Sequence, residues 1–210
     1  LLYTSEVKAS LRNKINFSDG TISLKKYDTL KDFSEFYPMI PYQLDLLQQV
    51  FTKIRENSSA GKHFASGERN LLGAVQYAAL EYAEKDLGIL IPFQTFYGHL
   101  DQGLDHSVRA TIIKAQSTPT LQSFDVDVLK VLYLIRYLKS VPSTVENITT
   151  LMLDELDADR LKLTENITAA LDRLTKEYLV QRTGLEYLFL TNEEQDINRQ
   201  INHMDIPTSK

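Results

Sequence analysis

A glycine followed by a lysine, in Ala60-Gly61-Lys62-His63, is the first place where phosphate chemistry suggests itself. A phosphate-binding loop also needs a glycine five residues before Gly61, a Ser or Thr after the lysine, and a strand leading in. Glu56 and His63 stand at those positions, and the pattern before them is helical. Gly67-Glu68-Arg69 is the next candidate: an arginine in the first turn of an amphipathic helix could reach back towards a phosphate, or be a solvated surface arginine. His99 and His106 flank Asp101 and Asp105, so a metal site can be imagined. Seven residues are two helical turns, not the i, i+4 spacing of a helical metal pair, which favours solvated or capping roles. Asp154, Glu155, Asp157 and Asp159 crowd one turn. They suit an acidic helix start, where the dipole favours negative charge, ahead of a metal or partner site. No Gly-x-Ser-x-Gly or His-Glu-x-x-His motif occurs. The absence of Cys excludes disulfides, thiolate catalysis and Cys-based zinc sites.

Helices must position these groups. Val7–Leu11 reads as the end of one, and Gly20–Leu24 as a turn and short strand. After Pro38 and Pro41, Leu47, Val50, Phe51 and Ile54 fall at i, i+3, i+4, i+7, a single apolar stripe. Asn57–Gly61 is a loop by composition. Ser66 can cap the next helix, whose stripe is Leu71, Val75, Ala78, Ala79 and Tyr82. A further helix is expected over Leu100–Ala115, with Leu104, Val108 and Ile112 inward. Ser117–Thr120 marks the best domain boundary.

Beyond it, Phe124, Val128, Val131, Leu132 and Ile135 form one stripe. Ser143-Thr-Val-Glu146 reads as a capping box opening a second helix, to about Leu153. Leu163, Ile167, Ala170, Leu171, Leu174 and Tyr178 form a third. Strands follow at Leu179–Arg182 and Glu186–Leu190 around Gly184, and a second box, Thr191–Glu194, opens a last helix. That order is the signature of a winged helix-turn-helix. The fold class expected is mainly α: a lead-in at 1–36, a helical bundle at 37–118, a winged helix with a two-stranded wing at 119–201, and a tail at 202–210.

Composition bounds the function. With 43% apolar and 24% charged residues the chain is ordinary globular material. It has no apolar run of the roughly 18 to 20 residues a membrane span needs, and no signal peptide. A cytoplasmic location is expected, and Leu1, in place of an initiating Met, suggests a fragment of a longer protein. Residues 119–210 hold 10 Lys and Arg against 15 Asp and Glu, whereas residues 1–118 hold 13 of each. Lys162, Arg173, Lys176 and Arg182 are the candidate contacts of the third helix and wing, set among Glu165, Asp172, Glu177 and Glu186. Duplex affinity comes mainly from neutralised phosphates, so this acidic unit favours protein packing over reading DNA.

Phe36-Tyr-Pro-Met-Ile-Pro-Tyr-Gln43, Gly61-Lys-His-Phe-Ala-Ser-Gly-Glu-Arg-Asn-Leu-Leu72 and the stretch closing on Tyr187-Leu-Phe-Leu-Thr-Asn-Glu-Glu-Gln-Asp-Ile197 carry a resemblance. Over roughly Phe36–Ile201 the chain resembles the BrxC/PglY family, large P-loop ATPases of BREX phage-defence systems. The resemblance implies an AAA+-related cytoplasmic machine working with other BREX components or sister subunits. With no Walker A sequence in the chain, it implies a non-catalytic region after the nucleotide-binding core, a helical lid plus a winged helix. ATP would be held by that core, and this region alone would take no cofactor. AAA+ lids carry Gly-x-x-Arg with the arginine on the γ-phosphate, which implies that role for Arg69. Ser66 stands where that glycine belongs, with Gly67 one place later. The rival reading is a free-standing winged-helix DNA-binding regulator.

Overall fold

The computed structural model describes residues 4–18, 25–57 and 67–203, with backbone alone at 67–69, 102 and 201–203. The expected Gly20–Leu24 turn and strand, the loop at 58–61, Lys62, His63 and the Ser66 cap fall outside the described residues.

Helices α1 (Ser5–Lys14), α2 (Leu30–Phe36), α3 (Tyr42–Asn57) and α4 (Gly67–Glu81) come first. A 3-10 turn, Phe93–Thr95, leads into α5 (Phe96–Leu100), and a second, Asp101–Gly103, leads towards α6 (His106–Ser117). Then come α7 (Ser123–Ile135), α8 (Val145–Leu151), α9 (Arg160–Lys176), β1 (Val180–Thr183), β2 (Glu186–Phe189) and α10 (Asn192–His203). The protein is mainly helical with a small antiparallel sheet near its C-terminus, as expected.

The stripes are buried where the 3.6-residue period places them. Leu47, Val50, Phe51 and Ile54 of α3 face inward, as do Val128, Val131, Leu132 and Ile135 of α7 and Ile167, Ala170, Leu171 and Leu174 of α9. Each large side chain buried this way contributes about 1.5–3 kcal/mol. Tyr178 ends α9 in the left-handed region (φ 60°), and Leu179 N donates back to Leu174 O at 3.0 Å, so the chain turns directly into β1. Gly184 (φ 62°) makes the hairpin turn, and β1 and β2 pair in the register Val180↔Phe189 to Thr183↔Glu186. The Thr191 box forms: Thr191 N donates to Glu194 Oε2 at 2.8 Å, and Glu194 N to Thr191 Oγ1 at 3.4 Å.

Three local expectations need correction. No single helix spans Leu100–Ala115. Leu104 is extended (φ −82°, ψ 156°) just after Gly103, a poor helix former, and the chain breaks there while Leu104 stays buried. The α8 cap is Thr144, not Ser143: the helix starts one residue late, so Asn147 N donates to Thr144 Oγ1 at 3.3 Å. Ser143 serves the hairpin instead, its carbonyl accepting from Tyr187 N at 3.0 Å. In α4 Leu71, Val75, Ala78 and the following Tyr82 pack against the core as expected, but Ala79 is exposed and Ala74 is buried instead.

The lead-in is stitched to the C-terminal helices by buried and half-buried polar groups that no apolar period announces. Arg160 Nη1 donates to Lys14 O (2.5 Å) and Thr150 Oγ1 (3.1 Å), and Thr150 Oγ1 donates to Asn16 O (2.5 Å). Asn147 is fully buried and holds Ser18 from both sides, accepting from its N at 2.8 Å and donating to its O at 3.1 Å. Across 117–120, Gln195 of α10 donates to Thr111 Oγ1 of α6 at 3.1 Å and to Leu190 O at 3.0 Å. Buried side chains on both sides of that link belong to one contiguous core.

Candidate functional site

α4 carries Arg69, the residue expected from sequence to reach a phosphate. Arg69 lies in its first turn, with its side chain outside the described atoms. Two glycine notches fix the orientation of this helix against α5. A Cβ on Gly73 would come within 2.5 Å of His99 Cε1, and a Cβ on Gly98 within 2.3 Å of Tyr77 Oη. Each helix thus admits the other's ring where it lacks a side chain. His99, weighed from sequence as a metal ligand, is a packing residue, and partial burial lowers its pKa. The signal that could have found the notches is a lone glycine inside each helical pattern.

With Ala74 and Ala78 turned inward, the opposite face of α4 presents Leu72 (70% exposed) and Leu80 (69%), with Leu87 (81%) just past its end. Leu72 and Leu80 are eight residues apart on one broad face, with the exposed Gln76 between them. A helix apolar on both faces is characteristic of an element covered within a larger assembly.

The four predicted contact cations do not form one patch. Lys162 and Lys176 are exposed and stand about 21 Å apart along α9. Glu165 and Asp172 are exposed between them. Arg173 is committed inward: its Nε donates to Asp125 Oδ2 at 2.8 Å and its Nη2 to Oδ1 at 2.6 Å. Asp125 is fully buried and also accepts from Gln122 N at 2.9 Å. Arg182 lies opposite Tyr187 in the hairpin, its guanidinium 5.6 Å from that ring, and donates to Gly184 O at 3.2 Å.

Of the acidic cluster, Asp159 caps α9 by accepting from Lys162 N at 3.1 Å, and Glu155 makes a bridge with Ile89. Among the described residues no three His, Asp or Glu are arranged to hold a metal ion.

Sequence reasoning missed a groove of about 370 Å³ lined by Leu188, Phe189, Ile197 and Tyr137. Arg136 helps to line it, donating to Glu194 Oε1 at 2.5 Å and to Phe189 O at 3.2 Å. This pairing ties the end of α7 to the start of α10 behind the hairpin. No protein-family model and no solved structure matches the chain. No helix among the described residues is long and apolar enough to cross a membrane.

Proposed function

We propose that this chain is the non-catalytic lid and winged-helix portion of a large AAA+-related ATPase of the BREX phage-defence type. It couples the state of a bound nucleotide to contacts with protein partners in the cytoplasm. The observation that carries the reading is α4: Arg69 sits in its first turn, and the same helix turns an uncovered leucine face to solvent. A lid helix needs both features, one for the phosphate and one for the nucleotide-binding core or a sister subunit. Arg69 supplies a planar guanidinium whose paired donors match phosphate oxygens. The order α7, α8, α9, β1, β2 supports a winged helix, as does the bridge between Thr144, before α8, and Glu186 of the hairpin. The commitment of Arg173 to Asp125 and the carboxylates along α9 favour a protein-packing winged helix over a duplex reader.

The test uses the outward leucines. Leu72→Glu with Leu80→Glu leaves the chain folded, because neither side chain packs in the core. In a pull-down with the nucleotide-binding core of such an ATPase supplied separately, the unaltered chain is retained and the double variant is lost. Equal retention of both would remove the lid assignment. The chain alone is expected to hydrolyse no ATP.

A further inference from the structure

We propose that the groove between α1 and residues 25–28 grips the phosphate backbone of a nucleic acid. The groove has a volume of about 560 Å³ and is lined by Ser5, Lys8, Ala9, Arg12, Asn13 and Lys26. Among the described lining residues three are cations, two are small polar donors and none is a carboxylate, in a chain whose net charge is −5. Such segregation of positive charge marks a surface for a polyanion.

The face is rigidly presented. Ser5, Lys8, Ala9, Arg12 and Asn13 fall at i, i+3, i+4, i+7, i+8, a single stripe of α1. The opposite side of the helix is pinned by Leu11 and by Ile15 just past its end, both buried in the core. Its C-terminal end is held by Arg160 on Lys14 O and by Lys14 Nζ on Leu156 O at 3.1 Å. Lys8 and Arg12 therefore stand about 6 Å apart along the helix axis, with Lys26 joining from the neighbouring segment. Lys8 donates to the carbonyl of Asp28, whose carboxylate, like that of Glu6 on α1, does not line the groove. Lys25, by contrast, is paired with Asp45 at 3.6 Å and does not line the groove.

The ligand class follows from the chemistry. Two cations in line with hydroxyl and amide donors beside them match phosphodiester oxygens, with no base-specific contact. Nucleic-acid contact thus falls on the lead-in segment, not on α9 and the hairpin. This inference is independent of the lid assignment, since it rests on neither Arg69 nor α4.

Fluorescence anisotropy with a labelled duplex tests it. Three neutralised phosphates give a slope of log affinity against log salt near −2.7, or roughly a 40-fold weakening between 50 and 200 mM salt. Changing Lys8→Glu, Arg12→Glu and Lys26→Glu together should abolish binding. The milder Lys8→Gln and Arg12→Gln should each lower the slope by about one. Lys162→Glu with Lys176→Glu should change nothing. Undiminished binding by the triple variant, or a flat salt dependence of the unaltered chain, would overturn the proposal. So would inorganic pyrophosphate competing as well as unlabelled duplex at equal phosphate, which would make the ligand a small anion.

Discussion

Removing the Arg173 guanidinium should cost stability before it costs any binding. Asp125 is fully buried and has three donors, two of them from Arg173. In Arg173→Met a buried carboxylate keeps only the Gln122 amide. Breaking a buried ion pair from one side costs about 3–5 kcal/mol, and an exposed pair contributes about 0–1. The Arg173 side chain is 31% exposed while that of Asp125 is not exposed at all, which puts the loss near the lower end of the buried range, about 3 kcal/mol. For a chain of this length that is a fall in melting temperature of roughly 6–12 °C. Urea unfolding of Arg173→Met, Asp125→Asn and the double variant measures the loss and the coupling, which should be about 1–3 kcal/mol. Arg173→Met within about 0.5 kcal/mol of the parent, with an additive double variant, would refute the staple and return Arg173 to the candidate contact surface.

Other outcomes follow from the same packing. Gln43 is fully buried, accepts from Ile40 N at 2.8 Å and donates to Ile91 O at 2.6 Å. Gln43→Ala should lose about 2–3 kcal/mol in denaturant titration, because two buried backbone groups lose their partner. Gly98→Ala should lose no more than about 1 kcal/mol, since its methyl would overlap the ring end of Tyr77, an exposed side chain that can swing aside. Partial burial lowers the pKa of His99, so its neutral form is favoured in the fold. The stability this contributes is complete above the unfolded pKa of about 6.5 and is lost as pH falls through the lower folded value. Unfolding measured between about pH 7 and 5.5 should show that slope, and His99→Gln should lack it.

The long elements were legible because their stripes are long. Leu47 to Ile54 and Leu163 to Leu174 each repeat over two or more turns, and the hairpin is marked by Gly184 between alternating residues. What stayed hidden depends on contacts between distant residues. Asn147 on Ser18, Arg160 on Lys14 and Arg173 on Asp125 have no local pattern, since each polar partner lies 48 or more positions away. Short-range chemistry misleads where one residue decides: the helix breaks after Gly103, although Leu104, Val108 and Ile112 keep a helical spacing. At the candidate site, Arg69 and the cations of α9 were visible as residue types. The glycine notches that aim α4, and the inward turn of Arg173, arise only when helices meet.

The proposed lid role requires α4 to bring Arg69 to a nucleotide held by an adjoining ATPase core. The direct measurement is steady-state ATP hydrolysis by an intact ATPase carrying this chain, with Arg69 unaltered or changed to Ala. With Arg69 at the phosphate, the alanine variant should lose at least about tenfold in turnover, with the protein folded and ATP still bound. Turnover unchanged by Arg69→Ala would contradict it.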